Sequence, residues 1–186
     1  MSVIESTKEL APAGTWSADP VHSHVSFEVA YAGVNTFRGG FKDFSVTLTG
    51  GSEPALEGSA KVASVDVKDE NLNGHLQSPE FFDAARFPEI AFRATELRHL
   101  GGDAVEGAGE LTIKGVTQPV EITGTIASAP VTDPFGRERL GLSLQTTVDR
   151  TQYGVSWNAP NQTGGGNYLA DDVKLVAELA LVKQEA

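Results

Sequence analysis

Through much of this chain apolar and polar side chains alternate one for one. Val25, Phe27, Val29 and Tyr31 alternate with Ser26, Glu28, Ala30 and Ala32, and a period of two sets each group on its own face of a strand. A strand of that kind buries one face and wets the other, as antiparallel sheets allow. The same reading places a short strand over 15–18, closed by Asp19 and Pro20, and the long strand over 21–32. Further strands are expected over 41–49, with Phe44, Val46 and Leu48 on one face, and over 56–67, where the alternation changes phase and predicts a bulge near Ala63 or Ser64. Five more follow over 90–97, 105–113, 120–126, 140–148 and 173–182.

The turns between these segments agree with consecutive hairpins. Gly50 with Gly51, Gly101–Gly102–Asp103 and Lys114–Gly115–Val116 punctuate the pattern, and Asp133–Pro134–Phe135–Gly136 has the residue order of a type I turn. Gly39 and Gly40, just after Phe37, predict a bulge or a close backbone approach. Two segments break the alternation. Asp69 is placed to cap a short helical turn carrying Leu72 and Leu76. Ser78, Pro79 and Glu80 then form a second helix start, with a helix expected from Ser78 to Ala85. Its Phe81 and Phe82 are a large apolar load for a connection, and the end of a barrel is where they find cover. The second break, 158–172, is long and polar, contains Gly164, Gly165 and Gly166, and is expected as a loop at the barrel mouth. About eight major strands suit an all-β, eight-stranded antiparallel barrel with a short helical insertion near 70–85, able to hold one ligand.

Composition narrows the functional classes. In 186 residues, 40% of them hydrophobic, the expected organisation is a flexible segment over 1–12 and one barrel domain over 13–186. A net charge of −11 without a basic stripe argues against a nucleic-acid partner. No apolar run approaches the roughly 20 residues that span a bilayer, so membrane insertion is not expected. Cysteine is absent, which removes disulfides, thiol catalysis and thiolate metal sites. With Met1 as the native start, the absence of a basic, then apolar leader predicts a cytoplasmic protein.

Catalytic constellations are not evident. His22 and His24 lie two apart on one strand face and would need a third ligand, from His75, His99 or a carboxylate, to hold a metal. Ser23 points away from its histidine neighbours, and no glycine-flanked nucleophile elbow is present. Asp66, Asp69 and Glu70 fit strand-end and capping roles as well as acid–base chemistry. The expectation is therefore no enzyme, no metal and no cofactor. The aromatic set, Phe27, Phe37, Phe41, Phe44, Phe81, Phe82, Phe92 and Trp157, fits a filled core or a ligand channel. The small inward candidates Ala60, Ala94, Gly107, Gly109 and Gly124 favour some open space.

Several ordered stretches, DPVHSHVSFEVAYAG with VNTFRGGF, DENLNGHLQSPEFFDAARFPEIAF, GELTIKGVTQPVEI, VDRTQYGVSW and DDVKLVAELAL, resemble the YceI-like family from Thr15 to Leu181. The resemblance implies a lipocalin-like barrel around an elongated apolar channel, binding polyisoprenoids and similar amphiphiles. His22 with Ser23, Arg38 with Gly39 and Asp149 with Arg150 match the family's paired positions, while Tyr31 stands where many relatives have histidine. The expected ligand-binding residues are Phe27, Val29, Tyr31, Phe37, Arg38, Phe44, Phe81, Phe82, Phe92, Leu111, Leu142, Leu144, Arg150 and Trp157. Arg38, Arg86, Arg93 and Arg150 are candidates for a phosphate or diphosphate head, or else ordinary surface ion pairs, with Arg38 and Arg150 favoured by their family positions. The expected function is a carrier sequestering an isoprenoid or fatty chain, its head left near the mouth by the 78–85 helix and the 158–172 loop. The alternatives are a stress-associated structural barrel without a ligand and an enzyme acting on a lipid-like substrate. A homodimer through an exposed sheet edge is an expectation by analogy only.

Overall fold

Eight antiparallel strands, four of them broken into two segments, run round a closed ring. The computed structural model describes residues 9–160 and 166–186; residues 1–8 of the expected flexible segment and 161–165 of the expected mouth loop lie outside them. In chain order the elements are β1 (Gly14–Ala18), β2 (His24–Tyr31), β3 (Asn35–Phe41), β4 (Phe44–Gly50), β5 (Ala55–Lys61), β6 (Val65–Asp66), α1 (Glu70–Gln77), β7 (Glu89–Gly101), β8 (Ala104–Ile113), β9 (Val116–Ile126), β10 (Val131–Thr132), β11 (Glu138–Asp149) and β12 (Leu169–Lys183). β1 and β2 act as one strand kinked at Asp19–Pro20, because β1 pairs with the end of β12 (Trp16 opposite Lys183) and β2 with its earlier part (Phe27 opposite Leu175). β3 and β4 are kinked in the same way and lie beside β2 and β1. From there the ring runs through β5, β7, β8 and β9 to β11. It closes where β11 pairs with β12 from Arg139–Val182 to Asp149–Asp172.

Kinks occur where the sequence supplies a reason. The phase change in 56–67 is a single 3-10 turn, Val62–Ser64, between β5 and β6, in place of the expected bulge. At Gly39 a Cβ atom would stand 2.4 Å from Cζ of Phe27, so only glycine lets that ring lie flat against β3. Gly109 does the same for Phe92, whose Cε2 would be 2.6 Å from an added Cβ. The Asp133–Gly136 turn forms as expected, Gly136 N–H donating to Asp133 O at 2.9 Å.

The helical insertion differs from the sequence expectation in its second half. α1 forms with Asp69 as its cap, Oδ1 accepting from Leu72 N–H at 2.9 Å. The expected helix from Ser78 to Ala85 is instead a run of turns. Phe82 and Ala84 N–H groups donate back to the carbonyls of Leu76 and Gln77, and Asp83 takes a left-handed backbone with φ 53°. Burying Phe81 and Phe82 together, beneath α1, requires that reversal; a regular helix would send the two rings about 100° apart.

The two ends of the barrel are built differently. At the end holding the β4–β5 and β7–β8 turns, Trp16, Leu48, Val105, Ile126, Leu140 and Leu181 are almost wholly excluded from solvent and form a packed floor. Leu10 and Ala11 are buried against it, Ala11 O accepting from Gly51 N–H at 2.9 Å, and Trp16 Nε1 donates to Pro12 O at 3.0 Å. The interior residues of the strands thus fill one end completely, as small barrels can.

A polar clasp ties the β1–β2 kink to the β10–β11 hairpin. Arg139 donates from Nη1 to Asp19 Oδ2 at 2.9 Å and from Nε to Asp133 Oδ2 at 2.8 Å, while His22 Nδ1 lies 2.7 Å from Asp19 Oδ2. Hydrogen bonds from Arg139 hold both carboxyls well below the usual carboxylate range, with His22 assisting at Asp19 and the backbone N–H of Arg137 at Asp133. Carboxyls depressed in the folded state bind protons first in the unfolded chain. Their contribution is therefore complete above about pH 4 and erodes as the pH falls below it. Thermal melts of wild type and Arg139→Gln from pH 7 to pH 3 should converge toward acid, the variant losing less; parallel curves would show that the clasp is not linked to folding.

Candidate functional site

Beyond the packed floor the barrel is hollow. A cavity of about 710 Å³ opens toward the end that carries α1, the 78–87 turns and the β2–β3 hairpin. Its walls are inward-facing residues on nine of the strand segments that make the ring. Val25, Phe27 and Val29 come from β2, Phe92 from β7, Leu111 and Ile113 from β8, Ile122 from β9, Leu144 and Val148 from β11, and Val173, Leu175, Ala177 and Leu179 from β12. Leu56 and Ala60 of β5, with Phe37 and Phe41 of β3 and Val46 of β4, complete the circuit. The alternation that builds each strand thus also delivers one apolar surface to the interior.

Of the fourteen residues expected at a ligand, Phe27, Val29, Tyr31, Phe37, Phe81, Phe82, Phe92, Leu111, Leu144, Arg150 and Trp157 line this cavity. Phe44 and Leu142 pack in the core without reaching it, Leu142 belonging to the filled half of the barrel. Arg38 lies on the outer face of β3, two-thirds exposed, with Nε 3.1 Å from Glu28 Oε1 on the neighbouring strand. Sequence reasoning did not single out Tyr153, His75, Leu76 or the inward row of β12 as lining residues. For β12 the signal was present in the alternation of Val173, Leu175, Ala177 and Leu179.

Aromatic rings line one side of the cavity and its mouth. Phe41 sits 5.9 Å from Phe27 and 6.0 Å, edge-on, from Phe82, which joins the strand wall to the turn region. At the rim the His75 ring meets Phe81 and Trp157 edge-on, each at 4.9 Å, and its Nε2 lies 2.5 Å from Glu80 Oε2. Tyr31 and Tyr168 stack at 5.7 Å on the opposite lip. Such pairs favour edge and tilted geometries by about 0.5–1.5 kcal/mol beyond the area they bury.

The mouth is held by one buried arginine. Asp149 starts a 3-10 turn, Arg150–Tyr153, by accepting from Thr151 N–H and Oγ1, and Gly154, with φ 75°, ends it. The turn delivers Arg150 inward. Its Nη1 donates to Val155 O and Trp157 O, both at 2.8 Å, and Nε to Ala170 O at 2.9 Å. Arg150 thereby fastens the two sides of the long connection into β12. Asn158 adds a second tie, its Nδ2 donating to Leu169 O at 2.7 Å and its Oδ1 accepting from Leu169 N–H at 3.0 Å. Burial pulls the Arg150 guanidinium below the ordinary arginine value, opposed by Asp171 and Asp149, and burial pushes the Tyr153 phenol up. The arginine remains a cation and the phenol remains protonated at neutral pH.

The remaining polar candidates lie elsewhere. His22 belongs to the Arg139 clasp, and buried Ser23 accepts the Ala180 N–H at its Oγ, 2.9 Å away, across the strand break. Among the described residues no three histidine or carboxylate side chains come together as a metal-binding group.

An eight-stranded barrel half filled by its own core and half open as an apolar chamber belongs to the class of small closed barrels whose interior leaves a cavity. Residues 16–181 match the YceI-like domain, and the chain belongs to that family. A UPF0312 protein of Pseudomonas putida (strain W619) is 30% identical over 141 residues, covering 72% of this chain and 71% of the relative. One from Pseudomonas fluorescens (strain SBW25) is 30% identical over 147 residues, covering 75% and 74%. Among solved structures, BcnA of Burkholderia cenocepacia superposes with a TM-score of 0.75 at 23% identity, over 90% of this chain and 99% of that one. A polyisoprenoid binding domain from Saccharophagus degradans, implicated in plant cell wall breakdown, superposes with a TM-score of 0.64 at 12% identity, over 91% and 98%. These superpositions establish a shared fold.

Proposed function

We propose that this protein binds a long isoprenoid or related fatty chain inside the barrel and sequesters it from water. The observation that carries this reading is the 710 Å³ apolar cavity, open at one end and stopped at the other by a packed floor. The polyisoprenoid binding of the Saccharophagus degradans domain agrees with it. If a methylene takes the room of a liquid water, about 30 Å³, the chamber accommodates roughly two dozen chain carbons. Burial at about 0.8 kcal/mol per methylene then gives on the order of 20 kcal/mol. Lost freedom and ordering cost about 4–15 kcal/mol of that. A short chain barely offsets such a cost, so the favoured occupant is one that fills the chamber. No bond-breaking chemistry enters this function.

Native mass spectrometry of the purified protein, followed by solvent extraction of the same sample, tests the proposal. A discrete excess mass that extracts as an isoprenoid or acyl chain is the expected result. A bare mass that stays bare after incubation with isoprenoid alcohols and fatty acids would overturn it. Phe82→Glu should also weaken chain binding by at least about tenfold, since a carboxylate would replace a ring on the cavity wall. Unchanged affinity would remove the 78–87 turns from the entrance.

A further inference from the structure

The wall of the chamber carries two hydrogen-bond donors that the protein itself does not use. Arg150 is 7% exposed and Tyr153 2%, and both line the cavity. Among the described residues, neither Arg150 Nη2 nor Tyr153 Oη has a hydrogen-bond partner. The arginine's Nε and Nη1 are committed to the carbonyls of Ala170, Val155 and Trp157, which leaves both N–H groups of Nη2 unspent. The nearest carboxylate oxygen, Oδ1 of the exposed Asp171, stands 3.7 Å away, outside hydrogen-bond range. Three other polar side chains on the lining have partners: His75 in Glu80, Thr146 in Glu121 O and Ser59 in Ser45.

Arg150 and Tyr153 also belong together. They are the first and last residues of one 3-10 turn, and positions three apart in such a turn eclipse, so both side chains leave it on the same side. A fixed cation and a protonated phenol in an apolar surrounding favour a partner that accepts hydrogen bonds and carries negative charge, while an ammonium head would face a like charge. A chain with no head at all would leave both donors buried and unmet.

We propose that Arg150 Nη2 and Tyr153 Oη form an oxygen-acceptor subsite in the chamber wall. It selects long chains that end in a carboxylate or a comparable oxygen acceptor and holds that end inside the rim. This rests on the chain-binding reading above and adds the class of ligand. It also moves the head inward from the helix-and-loop position expected from sequence.

Chain-matched probes separate the two claims. Phytanic acid, phytane and phytylamine share one branched chain and differ at its end. Each is delivered from cyclodextrin to wild type and to Tyr153→Phe at neutral pH, and occupancy is titrated by native mass spectrometry. Phytanic acid should bind at least about tenfold more tightly than phytane, and phytylamine most weakly. In Tyr153→Phe the acid-to-phytane ratio should collapse by about five- to tenfold with the melting temperature maintained, because the hydroxyl removed has no partner in the fold. Equal binding of acid and amine, or an unchanged ratio in the variant, would overturn the subsite while leaving the chamber. Failure of all three probes to bind wild type would overturn the chamber reading itself.

Discussion

An Ala177→Trp variant is expected to lose chain binding almost entirely while folding at least as stably as wild type. Ala177 faces the cavity from the middle of β12, opposite Val25 on one neighbouring strand and Leu144 on the other, both of which also line the chamber. An indole there occupies space that is hollow rather than packed, so the overpacking cost of a filled core does not apply. It would exclude roughly four or five chain carbons, each worth about 0.8 kcal/mol when buried. The loss is then about 3–4 kcal/mol, a several-hundred-fold fall in affinity. The matching control is Ala91→Trp, an exposed position on the outer face of β7, which should leave binding intact. Titration of both variants with phytanic acid, alongside thermal melts, reads the two effects separately. Retained affinity in Ala177→Trp would mean that the chain does not pass the middle of β12, whereas a lower melting temperature would mean that this part of the barrel is packed.

The contrast between hollow and filled halves is where sequence reasoning reaches its limit. Alternation located seven of the eight ring strands and the second half of the eighth, missing β3 (Asn35–Phe41) ahead of the strand expected over 41–49, because a strand that buries one face only is recorded directly by a period of two. It also put eleven of the fourteen candidate residues on the chamber wall. Alternation is silent, however, about height along the barrel. Leu142 and Leu144 are the same residue type on the same face of β11, yet the first packs in the core below and the second borders open space. What separates them is their neighbours from other strands, among which Trp16, Leu48 and Leu181 fill the floor. The turns after α1 show a different limit. Ser78–Pro79–Glu80 has the local chemistry of a helix start, but burial of both Phe81 and Phe82 outweighs it, as tertiary packing often outweighs propensity. Arg38 and Arg150 were equivalent in sequence as candidate head-binding cations. The fold sends one to the outer surface beside Glu28 and buries the other under three carbonyls.

That burial makes Arg150 the residue on which the mouth depends, and Arg150→Met is expected to be the most destabilising single change at the site. Methionine keeps most of the side-chain length and apolar stem but removes three charge-assisted hydrogen bonds, leaving the carbonyls of Val155, Trp157 and Ala170 without their donor. Hydrogen bonds to a charged group contribute about 1.5–3 kcal/mol each, and losing them together is not additive. A net cost of about 3–5 kcal/mol is the reasonable scale for removing one buried charged partner. In a domain of this size that lowers the melting temperature by on the order of 10 °C. The loss should be local in its first effects, since the arginine's partners are the carbonyls of Val155, Trp157 and Ala170 at the mouth, while Trp16 and Leu181 belong to the packed floor. Hydrogen exchange should therefore quicken at 155–160 and 166–170 while the amides of β1 and the end of β12 keep their protection. A uniform loss of protection would instead place Arg150 in the global folding unit. An unchanged melting temperature would show that the three carbonyls find water as readily as they find the guanidinium, and that the mouth is held by packing alone.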